Sequence, residues 1–242
     1  MIEPSREQIR DTMVVALARL LRDGETVFHG VASPIPMVAT LVAKQLHAPN
    51  LVYLNITGGV DASPADLSVS TVDPGLLVGA RSMVTLTDLF DWAASGRLDT
   101  AFLSGVQIDG RGQINMSVIG DFHAPKVRLP GGAGSAAIMP RAKRTILWRT
   151  KHDPRVFVDK LDFVTASGNV DRVVTPLCVF QRIDGRLVVE SRHEWVRPDE
   201  LKAATGFSIE VGESTAVSPP PSAEELRILH AIDPRNVALT EI

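Results

Sequence analysis

The fold is decided by the stretch Asn50-Leu-Val-Tyr-Leu54 and by the loop Asn55-Ile-Thr-Gly-Gly59 that follows it. An unbroken apolar run, without alternating polar residues, is typical of a strand that is buried on both faces of a sheet. Open α/β sheets bind their ligands in loops at the carboxyl ends of such strands. The stretch therefore predicts an α/β fold with a candidate site at residues 55–59.

Helices and strands alternate on either side of this stretch. The capping box Ser5-Arg-Glu-Gln8 begins a helix that we expect to end at Gly24. Apolar periodicity and turn residues predict further strands at 26–28, 99–103 and 145–148 and helices at 36–45 and 86–94. Because this alternation builds parallel strand–helix–strand units, we predict an open, mostly parallel sheet flanked by helices.

The C-terminal part of the chain predicts an antiparallel edge. We expect one strand over residues 172–180, and Asp184-Gly185 is a hairpin signal between this strand and an apolar run at 187–189. A short helix is predicted at 198–204, and residues 208–242 are interpreted as a linker with a tail helix at 223–231. The whole chain, 1–242, is predicted to form one domain.

Composition excludes several classes of protein. The chain has 242 residues and a net charge of 25 − 28 = −3, which argues against a nucleic-acid binder. Its single cysteine cannot form an internal disulfide or a cysteine-cluster metal site. The N-terminus has no basic start followed by an apolar run, and no apolar stretch reaches the roughly 18 residues that span a bilayer. We expect a soluble cytoplasmic protein with no membrane segment.

The glycine-rich stretch Leu129-Pro-Gly-Gly-Ala-Gly-Ser-Ala-Ala137 contains the pattern G-x-G-x-x-A. A dinucleotide fingerprint should follow a strand, but residues 126–130 form a poor strand that ends in proline, so we do not favour this interpretation. Two interpretations remain open. Either the loop needs positive φ angles, or its backbone at Gly131, Gly132 and Gly134 approaches an anion or a carbonyl oxygen of a ligand.

Histidine and cysteine give weaker signals. The six histidines show no spacing typical of metal ligands, so no metal site is predicted. His123, beside Asp121 and between two glycine-containing loops, is the histidine chosen as a binding candidate, although Asp-x-His pairs are also common on surfaces. His193-Glu194 is expected to be exposed near an edge strand. Cys178 lies in an apolar strand and is expected to be buried and unreactive.

A basic run over residues 141–151 has two interpretations, a solvated face or a site for the phosphates of a small anionic ligand.

Several segments, taken in order, resemble the beta subunits of class I coenzyme A transferases. The resemblance implies an open, mainly parallel α/β fold and an acyl-CoA substrate, with coenzyme A entering as part of that substrate and no other cofactor. It also implies a separately encoded alpha subunit, often in an α2β2 assembly, because this chain is too short to contain both halves. Val14, Val15 and loop residues are expected to leave apolar surface for that partner. The segments are 30–36, 49–53, 57–58, 104–115, 129–134, 157–165, 173–180 and 205–207.

One departure from the family pattern matters most. In the transferases a glutamate follows the strand equivalent to residues 51–54 and carries the acyl and CoA groups in turn. Here Asn55 or Ile56 holds that position, depending on a one-residue choice of alignment. Neither has a carboxylate, so neither can form an acyl anhydride or a glutamyl-CoA thioester. The nearest acid, Asp61, is expected to point elsewhere, and ordinary transfer is not expected.

The pattern is similar to the beta subunits of actinobacterial cholesterol ring-cleaving hydrolases, relatives that lack the glutamate. This similarity implies that water attacks a cyclic 6-oxocyclohexene-1-carboxyl-CoA derived from steroid rings C and D, with a base on the alpha subunit. Attack by water needs a base and oxyanion stabilisation but no covalent carrier. A transferase with a relocated nucleophile and a non-catalytic scaffold subunit remain as alternatives.

Candidate roles follow from this similarity. Asn55 and Thr57 would hydrogen-bond a carbonyl or hold a water, unless Asn55 only satisfies backbone groups in a turn. We expect Gly132→Val to impair substrate binding more than stability. The residues expected to contact substrate or CoA are Gly58, Gly59, Gly131, Gly132, Gly134 and His123.

Overall fold

The computed structural model describes residues 3–242, which divide into two compact units. One unit comprises residues 3–102 together with 220–242, and the other comprises residues 103–219. The prediction of one domain over 1–242 stays a prediction.

Helices and strands are numbered separately, each in chain order. The helices are α1 (Arg6–Arg19), α2 (Pro34–Leu46), α3 (Leu86–Ala94), α4 (Ser135–Ile138), α5 (Pro198–Ala204) and α6 (Ala223–Ile232). The strands are β1 (Thr26–His29), β2 (Val52–Leu54), β3 (Gly59–Val60), β4 (Ser82–Met83), β5 (Thr100–Leu103), β6 (Gln107–Asp109), β7 (Ile114–Asn115), β8 (Val118–Gly120), β9 (Pro125–Arg128), β10 (Arg144–Trp148), β11 (Phe157–Val158), β12 (Val170–Val174), β13 (Cys178–Ile183) and β14 (Arg186–Arg192). Short 3-10 helices lie at Pro74–Leu77 and Val237–Glu241.

In the unit that contains residues 3–102 the strand order is β5-β1-β2-β3-β4. Strand β1 is parallel to both β2 and β5, whereas β3 and β4 are added antiparallel to each other and to β2. All residues of β1 and β5 are buried, as expected for central strands. Helices α1, α2 and α6 pack on one another in this unit.

The start of α1 is confirmed, since the Ser5 hydroxyl accepts from the Gln8 N–H and the Gln8 side chain accepts from the Ser5 N–H. The predicted end at Gly24 is wrong, because α1 ends at Arg19. The N–H groups of Leu20 and Leu21 bond to carbonyls three residues back, which tightens the last turn and stops the α-helix early. Gly24 has a φ of +78° and lies in the turn before β1.

In the unit of residues 103–219, β12 is parallel to β10 and antiparallel to β13, and β13 pairs antiparallel with β14. The strand predicted over 172–180 is therefore wrong, because β12 and β13 are two strands. Pro176 has no N–H to donate to a ladder, and the Thr175 hydroxyl accepts from the N–H groups of Leu177 and Cys178. The chain consequently turns at residues 175–177.

The predicted hairpin at Asp184-Gly185 is confirmed. Both residues have positive φ, +48° and +80°, as the two central positions of a tight hairpin turn require. The predicted open, mostly parallel α/β sheet with flanking helices is confirmed as well, with antiparallel strands added at its edges.

Burial corrects two further expectations. His193 is buried rather than exposed, and its Nε2 bonds to the Thr175 carbonyl 2.9 Å away. Val14 and Val15 lie in the core of their own unit, so they offer no surface to a partner. Cys178 is fully buried as expected, and burial raises the pKa of its thiol. In residues 3–242 no helix is long and apolar enough to cross a membrane.

Candidate functional site

The loop at residues 55–59 is a tight turn at the carboxyl end of β2. The Gly58 N–H donates to the Asn55 carbonyl at 3.0 Å, and the Asn55 N–H donates to the Gly59 carbonyl at 3.1 Å. The turn thereby returns the chain from β2 to the antiparallel β3. Its position agrees with the rule that places ligands beyond the carboxyl ends of strands.

The Asn55 side chain is buried and uses its hydrogen-bonding groups within the unit. Its Oδ1 accepts from the Gly59 N–H at 2.8 Å and from the Thr57 hydroxyl. Its Nδ2 donates to the Leu76 carbonyl at 3.0 Å. The alternative in which Asn55 satisfies groups of a turn therefore describes its contacts in this structure.

Two glycines of the loop are required by close approach. Gly58 has a φ of +94°, and a Cβ placed on it would lie 2.3 Å from the Val84 carbonyl oxygen. A Cβ on Gly59 would lie 3.0 Å from Asn55 Nδ2. Since no other residue fits at Gly58 without moving backbone, the glycines hold the turn against the Val84 backbone and the Asn55 amide.

A cavity of about 190 Å³ adjoins this turn. One wall is formed by residues 55–58, and the other is formed by Val84, Thr85 and Leu86, with Leu89 from the first turns of α3. None of these lining residues has a carboxylate. The Thr85 hydroxyl is held in a capping box with Asp88, so its oxygen serves the start of α3.

Asp61 does not supply the missing carboxylate. Its Oδ1 accepts from Lys44 Nζ at 2.8 Å and from the Tyr53 N–H at 3.0 Å, and the residue does not line the cavity. The expectation that this acid points elsewhere is confirmed by these contacts. Among residues 3–242, no group of three or more His, Cys, Asp or Glu side chains is placed to hold a metal ion.

The turn also has donors that the chain leaves available. The N–H groups of Ile56 and Thr57, the central residues of the turn, have no acceptor among the described residues. Both residues are partly exposed and line the cavity. The sequence predicted that the side chains of Asn55 and Thr57 would hydrogen-bond a ligand. In the structure the unused donors of this turn are the backbone N–H groups of Ile56 and Thr57.

The glycine-rich loop belongs to the other unit. The Gly131 N–H donates to the Met116 carbonyl at 2.7 Å, and Gly131 has a φ of +92°. A Cβ on Gly132 would lie 2.6 Å from Thr165 Cγ2, so this glycine has a packing role. Gly134 precedes α4, which has only four residues. A helix this short does not fit the dinucleotide fingerprint, although a strand, β9, does precede the loop.

His123 is exposed in the connection between β8 and β9. The Asp121 carboxylate accepts from the N–H groups of His123 and Ala124, at 2.8 and 3.0 Å. These bonds form an Asx turn, which involves the backbone of His123 and leaves its imidazole outside the pair. The structure thus brings together Asn55, Thr57, Gly58 and Gly59, while His123 and the other three candidate glycines lie in the unit of residues 103–219.

Sequence reasoning missed two side chains beside the loop. The ring of His29, at the end of β1, stacks on that of Tyr53, at a centroid distance of 5.5 Å, and both are buried. Each lies within a strand predicted to be apolar. A single polar side chain in such a strand needs a buried hydrogen-bond partner, and this was the signal in the sequence.

Known proteins are similar to this chain over most of its length. It is 32% identical over 247 residues to a 3-oxoadipate CoA-transferase subunit of Pseudomonas knackmussii, covering 94% of each chain. It is 26% identical over 245 residues to the cholesterol ring-cleaving hydrolase IpdB subunit of Rhodococcus jostii, covering 94% of this chain and 93% of that subunit. The crystal structure of the decarboxylase AibA/AibB matches with a TM-score of 0.90 and 32% identity, covering 97% of this chain and 98% of that one.

Family membership follows from the extent of these matches. Residues 10–204 match the family described as Coenzyme A transferase, and this range includes β2, the turn and the glycine-rich loop. The relatives above are single subunits of larger enzymes, or an assembly that pairs two different subunits. The chain belongs to the coenzyme A transferase family and is a subunit of the beta type.

Proposed function

We propose that this chain is the beta subunit of a heteromeric enzyme that cleaves a carbon–carbon bond of an acyl-CoA by adding water. No acyl or CoA group would become attached to this chain. The observation that carries the proposal is the buried amide of Asn55 at the carboxyl end of β2, where an acyl-carrying carboxylate would be required for transfer. The cavity beside it has no carboxylate among its lining residues.

The proposed substrate is a 6-oxocyclohexene-1-carboxyl-CoA derived from steroid rings C and D. A base on the alpha subunit takes a proton from water, the oxygen adds to the ring alkene carbon that is β to both the ketone and the thioester, and the enolate formed takes up a proton. Loss of the proton from the new hydroxyl then breaks the bond between this carbon and the carbon that carries the thioester, which leaves a new carbonyl group and an enolate stabilised by the former ring ketone and the thioester. Protonation of the enolate gives the open-chain acyl-CoA, so the reaction consumes one water and needs no further cofactor.

The residues of this chain act by hydrogen bonding. The free N–H groups of Ile56 and Thr57 are assigned as donors to the oxyanion that develops on the substrate. The Thr57 hydroxyl donates to Asn55, so its remaining lone pairs can accept from a water. Asn55 holds the turn in shape, and Gly131, Gly132, Gly134 and His123 stay candidates for CoA contacts.

Decarboxylation of an acyl-CoA is a second candidate function. It is favoured by the match to the decarboxylase AibA/AibB at a TM-score of 0.90 and 32% identity. Loss of CO2 also produces a carbanion that must be stabilised as an enolate, so the same donors at Ile56 and Thr57 would serve. The two reactions differ in the product, because only hydrolysis adds an oxygen atom from water.

CoA transfer is the reaction that the 32% match to a 3-oxoadipate CoA-transferase subunit would suggest. It would need a carboxylate from a position other than residues 55 and 56, since neither has one. The nearest acid in sequence, Asp61, is paired with Lys44. A scaffold subunit without a catalytic role would leave the partner active alone.

The test uses this chain purified together with its alpha-type partner. The complex is incubated with 6-oxocyclohex-1-ene-1-carboxyl-CoA in H2-18O, and the products are analysed by mass spectrometry. Hydrolysis gives an open-chain acyl-CoA that carries one 18O in its new carbonyl group. A second reaction, with an acyl-CoA that carries a free β-carboxylate, tests decarboxylation through the release of CO2. A third reaction, with a free acid as acceptor, tests CoA transfer. Activity of the partner alone would instead assign a scaffold role to this chain.

A second measurement addresses the covalent step. The complex is quenched with acid during turnover, and the intact mass of this chain is compared with that before substrate. No increase is expected at any time. A mass increase equal to an acyl group or to CoA on this chain would restore the transferase interpretation.

A further inference from the structure

The cavity beside the turn at residues 55–59 has a closed end and an open mouth. Leu89 lines the cavity and is only 3% exposed, so its side chain closes the inner end. Leu86 also lines the cavity but is 55% exposed, which places this side chain at the mouth. The two leucines are three residues apart in α3 and therefore lie on one face of the helix. A ligand that enters past Leu86 meets Leu89 at the far end.

The two walls of the cavity are held at a fixed separation. The Val84 N–H donates to the Gly58 carbonyl at 2.9 Å, so the segment that precedes α3 is bonded directly to the turn. The capping box of Thr85 with Asp88 then fixes the first turn of α3. Because the backbone of each wall is bonded, the size of the cavity is set by side chains, above all by Leu89 at its closed end.

The lining favours the uncharged part of an acyl-CoA. No residue with a charged side chain lines the cavity, whereas phosphate groups are bound best by Arg and Lys side chains. Val84, Leu86 and Leu89 supply aliphatic surface, against which the burial of hydrocarbon is favourable. The opposite wall offers the free N–H groups of Ile56 and Thr57 to a carbonyl oxygen. The cavity thus suits a carbonyl group and the hydrocarbon next to it.

The volume of the cavity limits that hydrocarbon to one ring. An engineered apolar cavity of about 150 Å³ in another protein holds one benzene molecule. The cavity here has about 190 Å³, which leaves roughly 40 Å³ beyond one six-membered ring, and a water molecule takes about 30 Å³ of liquid volume. One ring and one water therefore fill the space, and a second fused ring does not fit with them.

We propose that this cavity binds the acyl group of the substrate together with the attacking water, and that Leu89 determines specificity by restricting the acyl group to a single six-membered ring or an open chain of similar size. Ring substituents that point away from Leu89 leave through the mouth beside Leu86. The inference rests on the proposed function for the acyl-CoA nature of the substrate and for the role of the water.

Unreactive CoA thioethers test the size limit. S-propyl-CoA, S-(cyclohexylmethyl)-CoA and S-(decahydronaphthylmethyl)-CoA carry a short chain, one ring and two fused rings. Each is titrated by calorimetry into the complex of this chain with its alpha-type partner. Leu89→Ala enlarges the closed end, and Leu89→Phe fills it. Leu17→Ala is the matched control, because Leu17 is also a buried leucine of a helix in the same unit but does not line the cavity.

Wild type should bind the one-ring thioether at least about tenfold more tightly than the two-ring thioether, since a single methylene group in a hydrophobic pocket is worth roughly 10–200-fold. In Leu89→Ala the two affinities should come within about threefold of each other, because the space lost to the leucine becomes available. Leu89→Phe should weaken the one-ring thioether by about tenfold or more and leave S-propyl-CoA within about threefold. Leu17→Ala should keep the wild-type order, although its melting temperature should fall as in Leu89→Ala.

Equal binding of the one-ring and two-ring thioethers by wild type would overturn the inference, and so would a Leu89→Ala effect that is the same for all three ligands. Thioethers that bind no more tightly than CoA itself would overturn it as well, because their hydrocarbon would then lie outside the cavity. If Leu89→Ala fails to fold, wild type and Leu89→Phe decide the outcome.

None of these measurements depends on which reaction is catalysed. If the products of turnover show transfer or decarboxylation, the proposed hydrolysis fails, while the binding series still decides the size limit and the role of Leu89.

Discussion

Asn55 and Gly59 are joined by two hydrogen bonds. The Asn55 N–H donates to the Gly59 carbonyl at 3.1 Å, and the Gly59 N–H donates to Asn55 Oδ1 at 2.8 Å. Gly59 also lacks the Cβ that would press on the Asn55 amide. The Asn55 side chain, at one of the two candidate positions for the family glutamate, is therefore part of the turn. Its carboxamide oxygen is engaged by this turn, whereas the N–H groups of Ile56 and Thr57 have no acceptor among the described residues.

Two substitutions of Asn55 should distinguish the role of its side-chain oxygen, which accepts hydrogen bonds, from that of its side-chain N–H groups, which donate them. Asn55→Ala should lower turnover by roughly 100-fold, because the turn loses its internal support and the donors move. It should also lower the free energy of unfolding by about 1–3 kcal/mol, since the buried Leu76 carbonyl and Gly59 N–H lose partners. Asn55→Asp keeps an oxygen that accepts from the Gly59 N–H but loses both side-chain N–H donors. Protection of the Gly59 N–H from hydrogen exchange should therefore be lower than in wild type and higher than in Asn55→Ala. Wild-type turnover in Asn55→Ala would contradict this role.

Gly58 should tolerate no side chain. In Gly58→Ala the new Cβ would meet the Val84 carbonyl oxygen at 2.3 Å, in addition to the cost of a positive φ. Gly24→Ala is the control, because Gly24 also has a positive φ, of +78°, but nothing lies within 4 Å of its Cβ position. Chemical denaturation should give a loss of about 1–2 kcal/mol for Gly24→Ala and a larger loss for Gly58→Ala. Equal losses would mean that the contact with Val84 relaxes freely.

Gly132 is now expected to matter for stability, which revises the expectation from sequence that Gly132→Val mainly impairs binding. A Cβ there would lie 2.6 Å from Thr165 Cγ2, so Gly132→Ala and Gly132→Val should lower the melting temperature. Thr165→Ser removes this methyl group and keeps the hydroxyl that accepts from the Met116 N–H at 2.8 Å. The double variant Gly132→Ala/Thr165→Ser should therefore melt higher than Gly132→Ala. If it does not, the contact with Thr165 is not the cause.

Mild acid should destabilise the fold through buried histidines. Burial lowers the pKa of His29 and His193 to about 4 and that of His152 to about 3. In the unfolded chain these groups titrate near pH 6.5, so between pH 6.5 and 4.5 the unfolded state binds more protons and stability falls as the pH falls. Each contributes up to about 1.4 kcal/mol per pH unit.

The control for the acid effect is His152→Gln, whose amide can replace the bonds to the hydroxyls of Thr175 and Thr205. Denaturant unfolding at several pH values should give a shallower dependence in this variant, smaller by about one proton. Below pH 4.5 the Arg19–Glu225 pair adds a separate loss, because it lowers the pKa of Glu225 to about 2. A slope that is identical in wild type and His152→Gln would show that His152 is not buried neutral.

Pairing with an alpha-type subunit is expected from the relatives and from exposed apolar residues in the unit of residues 3–102. These include Met83 on β4, which is 65% exposed, together with Val69, Val72, Val78 and Leu86. Co-expression with the partner should give one co-eluting species. Met83→Glu should weaken the association of the two subunits, which light scattering would detect as a lower average mass. Lys126→Glu, on the exposed strand β9, serves as a surface-charge control. An active 26.1 kDa monomer would contradict the expectation.

Local chemistry determined most of the elements that the sequence predicted. The Ser5 capping box, α3 at 86–94, α5 at 198–204 and the Asp184-Gly185 hairpin each depend on contacts within a few residues, so their residues carry the signal themselves. The absence of a carboxylate at residues 55 and 56 is likewise a property of the sequence alone.

Only the tertiary structure decided what Asn55 does. Its partner Leu76 lies 21 residues further along the chain, and the parallel pairing of β1 with β2 likewise brings His29 against Tyr53. The same reason applies to the contact of Gly132 with Thr165 and to the burial of His193 against Thr175. A sequence states which groups can form hydrogen bonds, but the distances that select their partners exist only once strands distant along the chain are packed together.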